Sequence, residues 1–135
     1  MDVKIFLLGV FIFLLADYLF LGLFMKDFWK KELGSSMRDN INIKSMFIPA
    51  LIVYILLALG ITLFVLPLTD NLNFLITFLY GAFFGLIVYG VYDLTNYIII
   101  TNYTWRLALI DIIWGSVISG IATLIMKTLS NSWIK

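Results

Sequence analysis

Four long apolar stretches decide most of what this chain can become. They cover residues 3–25, 46–68, 74–100 and 107–126. Each is long enough to cross a hydrocarbon core of about 30 Å at ~1.5 Å of rise per residue. Lipid offers the backbone no hydrogen bonds, so a spanning segment must satisfy its own N–H and C=O groups. The strict alternation of a barrel strand is absent, which leaves helices. The sequence predicts an all-α, polytopic membrane protein, a four-transmembrane-helix bundle forming one integral membrane domain over 1–135. A water-soluble fold would have to hide a 63% hydrophobic, 13% charged composition in 135 residues. A chain of that size has too much surface for its volume to do so. The first stretch is longer than a signal-peptide core and ends without a small-x-small cleavage pattern, so it is expected to stay as a helix.

Composition also removes whole classes of chemistry. The chain has no cysteine and no histidine. Disulfides, thiolate nucleophiles and thiolate metal sites are excluded. So are the commonest metal ligand, the usual haem ligand and the usual general base near neutrality. The net charge of +1 gives no bulk attraction to nucleic acid, and none is expected as a partner. There is no phosphate loop, nucleophile elbow or zinc motif.

The basic residues orient the bundle. Lys26, Lys30, Lys31, Arg38 and Lys44 in the first linker, with Arg106 beside the third, put six on one side. Lys4, Lys127 and Lys135 put three on the other. The positive-inside rule places the first and third linkers in the cytoplasm and both termini outside. The start of the first linker reads as a short interfacial helix. At about 100° per residue, Phe28, Trp29 and Leu33 fall on one side and Asp27, Lys30 and Lys31 on the other. Glu32 falls on the apolar flank, and Gly34 is the expected stop.

The spans carry three carboxylates, Asp17, Asp93 and Asp111. An ionised Asp at a helix centre costs about 2.5–3.5 kcal/mol on insertion scales, so such residues have a partner or a task. In the orientation above all three lie in the cytoplasmic half. Tyr89, Asp93, Asn96 and Tyr97 share one face of the third helix, and Asp111, Trp114 and Gly115 share one face of the fourth. Arg106 is the one basic residue beside the third linker, and it could snorkel back to Asp93 or Asp111. One guanidinium cannot neutralise three carboxylates. Protonation, or a bound cation, metal or amine, would have to supply the rest. The competing reading is plain: interhelical hydrogen bonds of about 0.6–2 kcal/mol are ordinary membrane glue. Gly81 and Gly85, and the small face of Gly115, Ser116, Ser119 and Gly120, predict close helix contact within the bundle or between protomers. Tyr18, Tyr92, Tyr103 and Trp105 read as interfacial belt residues.

Three blocks carry a resemblance: Asp27 to Gly34 (DFWKKELG), Tyr92 to Asn96 (YDLTN) and Asp111 to Gly115 (DIIWG). With them, and over nearly its whole length, the chain resembles a bacterial family of small predicted membrane proteins, domain of unknown function 2177. The segment Asp17 to Gly22 is similar too, with Phe20 where the family pattern leads one to expect Trp. The resemblance implies a four-helix, multi-pass fold in the bacterial inner (cytoplasmic) membrane and no particular activity.

Three roles fit. The first is binding or transport of a cation, a proton or an amphipathic, lipid-like ligand. Its site would comprise Asp17, Asp93, Asn96, Asp111, Tyr89, Tyr97, Trp114, Arg106 and Glu32, and four helices are few enough for a pathway to imply a homodimer. The second is a structural or assembly subunit docking through the small-residue faces. The third is an enzyme acting on a lipid or isoprenoid, with Asp93 and Asp111 as acid and base. No cofactor is required. Mg²⁺ or another hard cation on Asp93, Asp111 and Asp17 would suit the oxygen-only donor set.

Overall fold

The computed structural model of the chain describes residues 1–36 and 43–134. Arg38 and Lys135, which enter the charge count, lie outside them. The described residues form an all-α polytopic membrane protein with no strand. Helix α1 runs Val3–Asp17 and continues as a wider π-type turn over Tyr18–Phe24. A short α2 follows at Lys26–Leu33. Helix α3 runs Ile43–Gly60, passes through a second π-type segment at Ile61–Val65 and ends in a turn of helix at Leu66–Leu68. Helices α4, Phe74–Ile99, and α5, Trp105–Ile134, complete the bundle. Four helical spans, Val3–Phe24, Ser45–Leu68, Phe74–Ile99 and Trp105–Trp133, are long and apolar enough to cross a membrane.

Local chemistry sets the helix ends. Asp2 caps α1 by accepting from the Lys4 N–H at 2.9 Å, and Asn73 caps α4 by accepting from the Ile76 N–H at 2.9 Å. Gly34 closes α2 with a positive φ of 54°, a conformation that glycine adopts without a Cβ clash. Helix α5 is longer than the apolar stretch 107–126. It starts earlier because Thr104 Oγ1 accepts from the Leu107 N–H at 3.1 Å, making Thr104 the cap. It runs past Lys127 because that side chain turns back onto the bundle. Lys127 Nζ donates to the carbonyls of Thr69 and Leu72 and to Thr77 Oγ1, the last two at 2.7 and 2.9 Å. The ammonium thus caps the carbonyl end of the second span and ties it to α4.

Packing follows the small residues. Helices α4 and α5 form the most extensive pair. A Cβ on Gly81 would meet the Ser119 carbonyl at 2.8 Å, and one on Gly85 would meet Ser119 Oγ at 2.6 Å. Gly81 and Gly85 therefore let the two backbones approach closely, inside one chain. Helix α1 packs against both α3 and α5. Their shared core holds Ile5, Phe13, Leu57, Ile61, Ile118, Ala122 and Met126. Helix α4 meets the second span mainly through the Ile61–Val65 segment. Beyond that segment α3 and α4 part, toward the end of the bundle that carries α2.

Candidate functional site

The parting of α3 and α4 leaves a cavity of about 720 Å³. Val53, Leu56, Leu57 and Gly60 line it from α3, and Phe84, Val88, Tyr89 and Tyr92 from α4. Asp17 of α1 and Asp111 of α5 stand at its back, with Lys26 and Trp29 of α2 at its α2 end. The walls are mostly apolar, and a volume of this size is typical of small-molecule sites, roughly 300–1,000 Å³. Val53, Leu56 and Tyr92 on the two flanks are exposed. At membrane depth such residues face lipid, so the cavity opens sideways into the bilayer.

Asp17 is buried and held from two directions. Trp114 Nε1 donates to its Oδ1 at 2.9 Å, and the Tyr54 hydroxyl of α3 bonds the same carboxyl. The Trp114 ring lies flat on Phe20, with centroids 4.1 Å apart and planes at 3°. Phe20 sits in the π-type turn that begins directly after Asp17. Such turns re-aim side chains within a helix and recur at functional sites. Phe20 thus supplies the flat apolar face that fixes the indole.

Behind the cavity the Asp93 and Asp111 carboxyls are in hydrogen-bonding contact with each other. Asp93 is fully buried. Its Oδ1 accepts from the Tyr103 hydroxyl, and its Oδ2 has no donor among the described residues. Tyr103 is buried as well, so it is a member of the site and no belt residue. Burial, and next the Asp93 acceptor, push its phenol above the usual tyrosine range. Asn96 bonds the hydroxyls of Tyr92 and Tyr103. Tyr89 lays its ring against Gly115, where a Cβ would overlap it.

The remaining expected residues lie elsewhere. Arg106 does not reach the carboxylates: its side chain is 78% exposed and stands 3.9 Å from Glu32. The reason is rotational, since five residues at about 100° turn Arg106 some 140° away from Asp111. Glu32 Oε2 accepts from the Thr104 hydroxyl at 2.6 Å, which pins α2 to the start of α5. Phe28, Trp29 and Leu33 pack on Tyr103, Leu107 and Ala108, so α2 closes the end of the bundle over the carboxyl pair. Asp27, Lys30 and Lys31 are exposed, as the helical spacing predicts. Tyr97 packs its ring on Trp105, with centroids 4.4 Å apart and planes tilted by 36°. Among the described residues no three acidic side chains are grouped closely enough to hold a metal ion. The three carboxyls form a pair and a single, joined by the cavity.

Sequence reasoning passed over Tyr54, Thr104 and the role of Tyr103. Tyr103 had a usable signal. It lies in the tight turn between two carboxylate-bearing helices, where the Tyr103 N–H donates to the Ile100 carbonyl at 3.2 Å. Chain reversal there brings residue 103 back beside the last turns of α4. Tyr54 had none, because nothing within α3 marks which face meets Asp17.

Residues 2–128 match the model of the family described as predicted membrane protein, DUF2177. No curated protein and no solved structure matches the chain. The chain belongs to the DUF2177 family of predicted membrane proteins.

Proposed function

For this member of a family of multi-pass membrane proteins, we propose that the cavity binds an amphiphile bearing a positive charge, taken up sideways from the bilayer. The observation that carries this is one apolar cavity of about 720 Å³ with two carboxyl groups, Asp17 and Asp111, at its back. An apolar body is driven in by burial of its surface. A cationic head meets carboxylates in a low-dielectric setting, where their attraction is several times that in water. Among the described residues the cavity offers two carboxyls against one ammonium, Lys26, so its charge favours a cation. Six basic residues against three support the α2 end lying in the cytoplasm, which would open the cavity to the inner leaflet.

The test is equilibrium binding of radiolabelled tetraphenylphosphonium to the protein in phosphatidylcholine nanodiscs, with empty nanodiscs subtracted. Saturable binding is expected. Asp17→Asn with Asp111→Asn should weaken it at least about tenfold, the equivalent of ~1.4 kcal/mol. Val53→Trp, which fills the cavity without touching a carboxyl, should also weaken it. Linear partitioning equal to that of empty nanodiscs would refute the proposal, as would an unchanged affinity in both variants.

A further inference from the structure

We infer that the Asp93–Asp111 pair holds one shared proton and gives it up when a cation occupies the cavity, so that ligand and proton exchange for each other. This rests on the binding reading above and goes beyond it by naming the counter-ion of the site.

Two carboxyls in hydrogen-bonding contact cannot both stay ionised unless a cation beside them offsets the second charge; without one, the pair keeps a proton. Asp93 has no access to solvent, and Tyr103 has already taken its Oδ1. Oδ2 is buried with no conventional donor among the described residues. The partner at hand is the Asp111 carboxyl, which becomes a donor when protonated. The titratable groups facing the pair or the cavity are Asp17 of α1, Lys26 of α2, Tyr54 of α3, Tyr89 and Tyr92 of α4, and Tyr103 of the turn. Among the described residues, the groups that act directly on the two carboxyls are carboxyls and the Tyr103 phenol, with no cation among them. The shared proton is therefore the positive charge the pair has of its own.

Asp111 belongs to both arrangements. It bonds Asp93 on one side and lines the cavity on the other. A ligand cation beside Asp111 supplies the charge that the proton had supplied. The carboxyl O–H bond then breaks, its electron pair stays on the carboxylate, and the proton passes to water. Both carboxylates end ionised, one facing the ligand cation and the other held by the Tyr103 hydroxyl. Proton count and charge balance, since one positive charge enters and one leaves.

The experiment adds tetraphenylphosphonium to the protein in weakly buffered nanodiscs and follows a pH-indicator dye. About one proton should appear per cation bound in the wild type near neutrality. Asp93→Asn should bind the cation and release none, because an amide can satisfy Asp111 without a shared proton. Infrared difference spectra of the wild type provide a second reading that needs no variant. The carbonyl stretch of a protonated carboxyl should be present without the cation and vanish on binding. Saturable binding with no proton released, or with no protonated carboxyl to lose, would overturn the exchange and leave the binding reading standing. No saturable binding by the wild type would overturn both.

Discussion

The indole–carboxyl contact between α5 and α1 can be tested alone. Trp114→Phe removes the Nε1 donor, which stands 2.9 Å from Asp17 Oδ1, and keeps an aromatic face on Phe20. The stack, with planes at 3°, should survive the change. What is lost is one interhelical hydrogen bond to a carboxyl that is only 9% exposed. Measured interhelical bonds average about 0.6 kcal/mol and reach ~1.7. With an ordinary donor–acceptor length and little water to compete, this one should fall in the upper part, at about 1–1.7 kcal/mol. The assay is reversible unfolding in mixed dodecyl maltoside and dodecyl sulfate micelles, followed by helix ellipticity. Asp17→Leu, alone and with Trp114→Phe, completes a double-mutant cycle that isolates the pairwise term. If Trp114→Phe costs under about 0.3 kcal/mol, or as much in the Asp17→Leu background as in the wild type, the bond is no source of stability.

Tyr103→Phe removes the phenol donor from the buried Asp93 Oδ1 and should cost about 1–3 kcal/mol in the same unfolding assay. The phenol titrates above the ordinary tyrosine value of about 10, so its contribution is complete below that pH and falls as pH rises beyond it. Stability measured from neutral to strongly alkaline pH should therefore decline less steeply in Tyr103→Phe than in the wild type. Gly85→Ala should cost about 1–3 kcal/mol by forcing the α4–α5 seam apart, since its Cβ would lie 2.6 Å from Ser119 Oγ. Gly90→Ala, on the same helix with open space around it, should be neutral or gain up to about 1 kcal/mol, as melting of the two variants side by side would reveal. Thr104→Val removes both the α5 cap and the bond to Glu32 and should cost about 1–2 kcal/mol. Arg106→Ala, at an exposed and loose ion pair, should stay within ~0.5 kcal/mol in the same measurement.

Much of the fold was legible because it is written along one dimension. Span number follows from runs of apolar residues, since lipid forces each run to satisfy its own backbone. The split of Phe28, Trp29 and Leu33 from Asp27, Lys30 and Lys31 follows from the helical period alone. Gly81 and Gly85 announced a close helix contact because only small side chains permit one. The shared depth of Asp17, Asp93 and Asp111 followed from counting along antiparallel spans.

The tertiary structure decided what each face meets. Helical spacing groups Asp111, Trp114 and Gly115 on one side of α5, yet their neighbours depend on how α5 is rotated against α1 and α4. That rotation gave Trp114 to Asp17, Asp111 to Asp93 and Gly115 to the Tyr89 ring. It turned Arg106 outward, toward Glu32. The turn at 100–104 folded Tyr103 inward onto Asp93, although its sequence neighbourhood resembles any membrane interface. The cavity itself has no signature in the sequence. It exists because the α4–α5 seam and the contacts of α1 with α3 hold two pairs of helices together while α3 and α4 diverge, and divergence is a property of two axes, which neither helix encodes by itself.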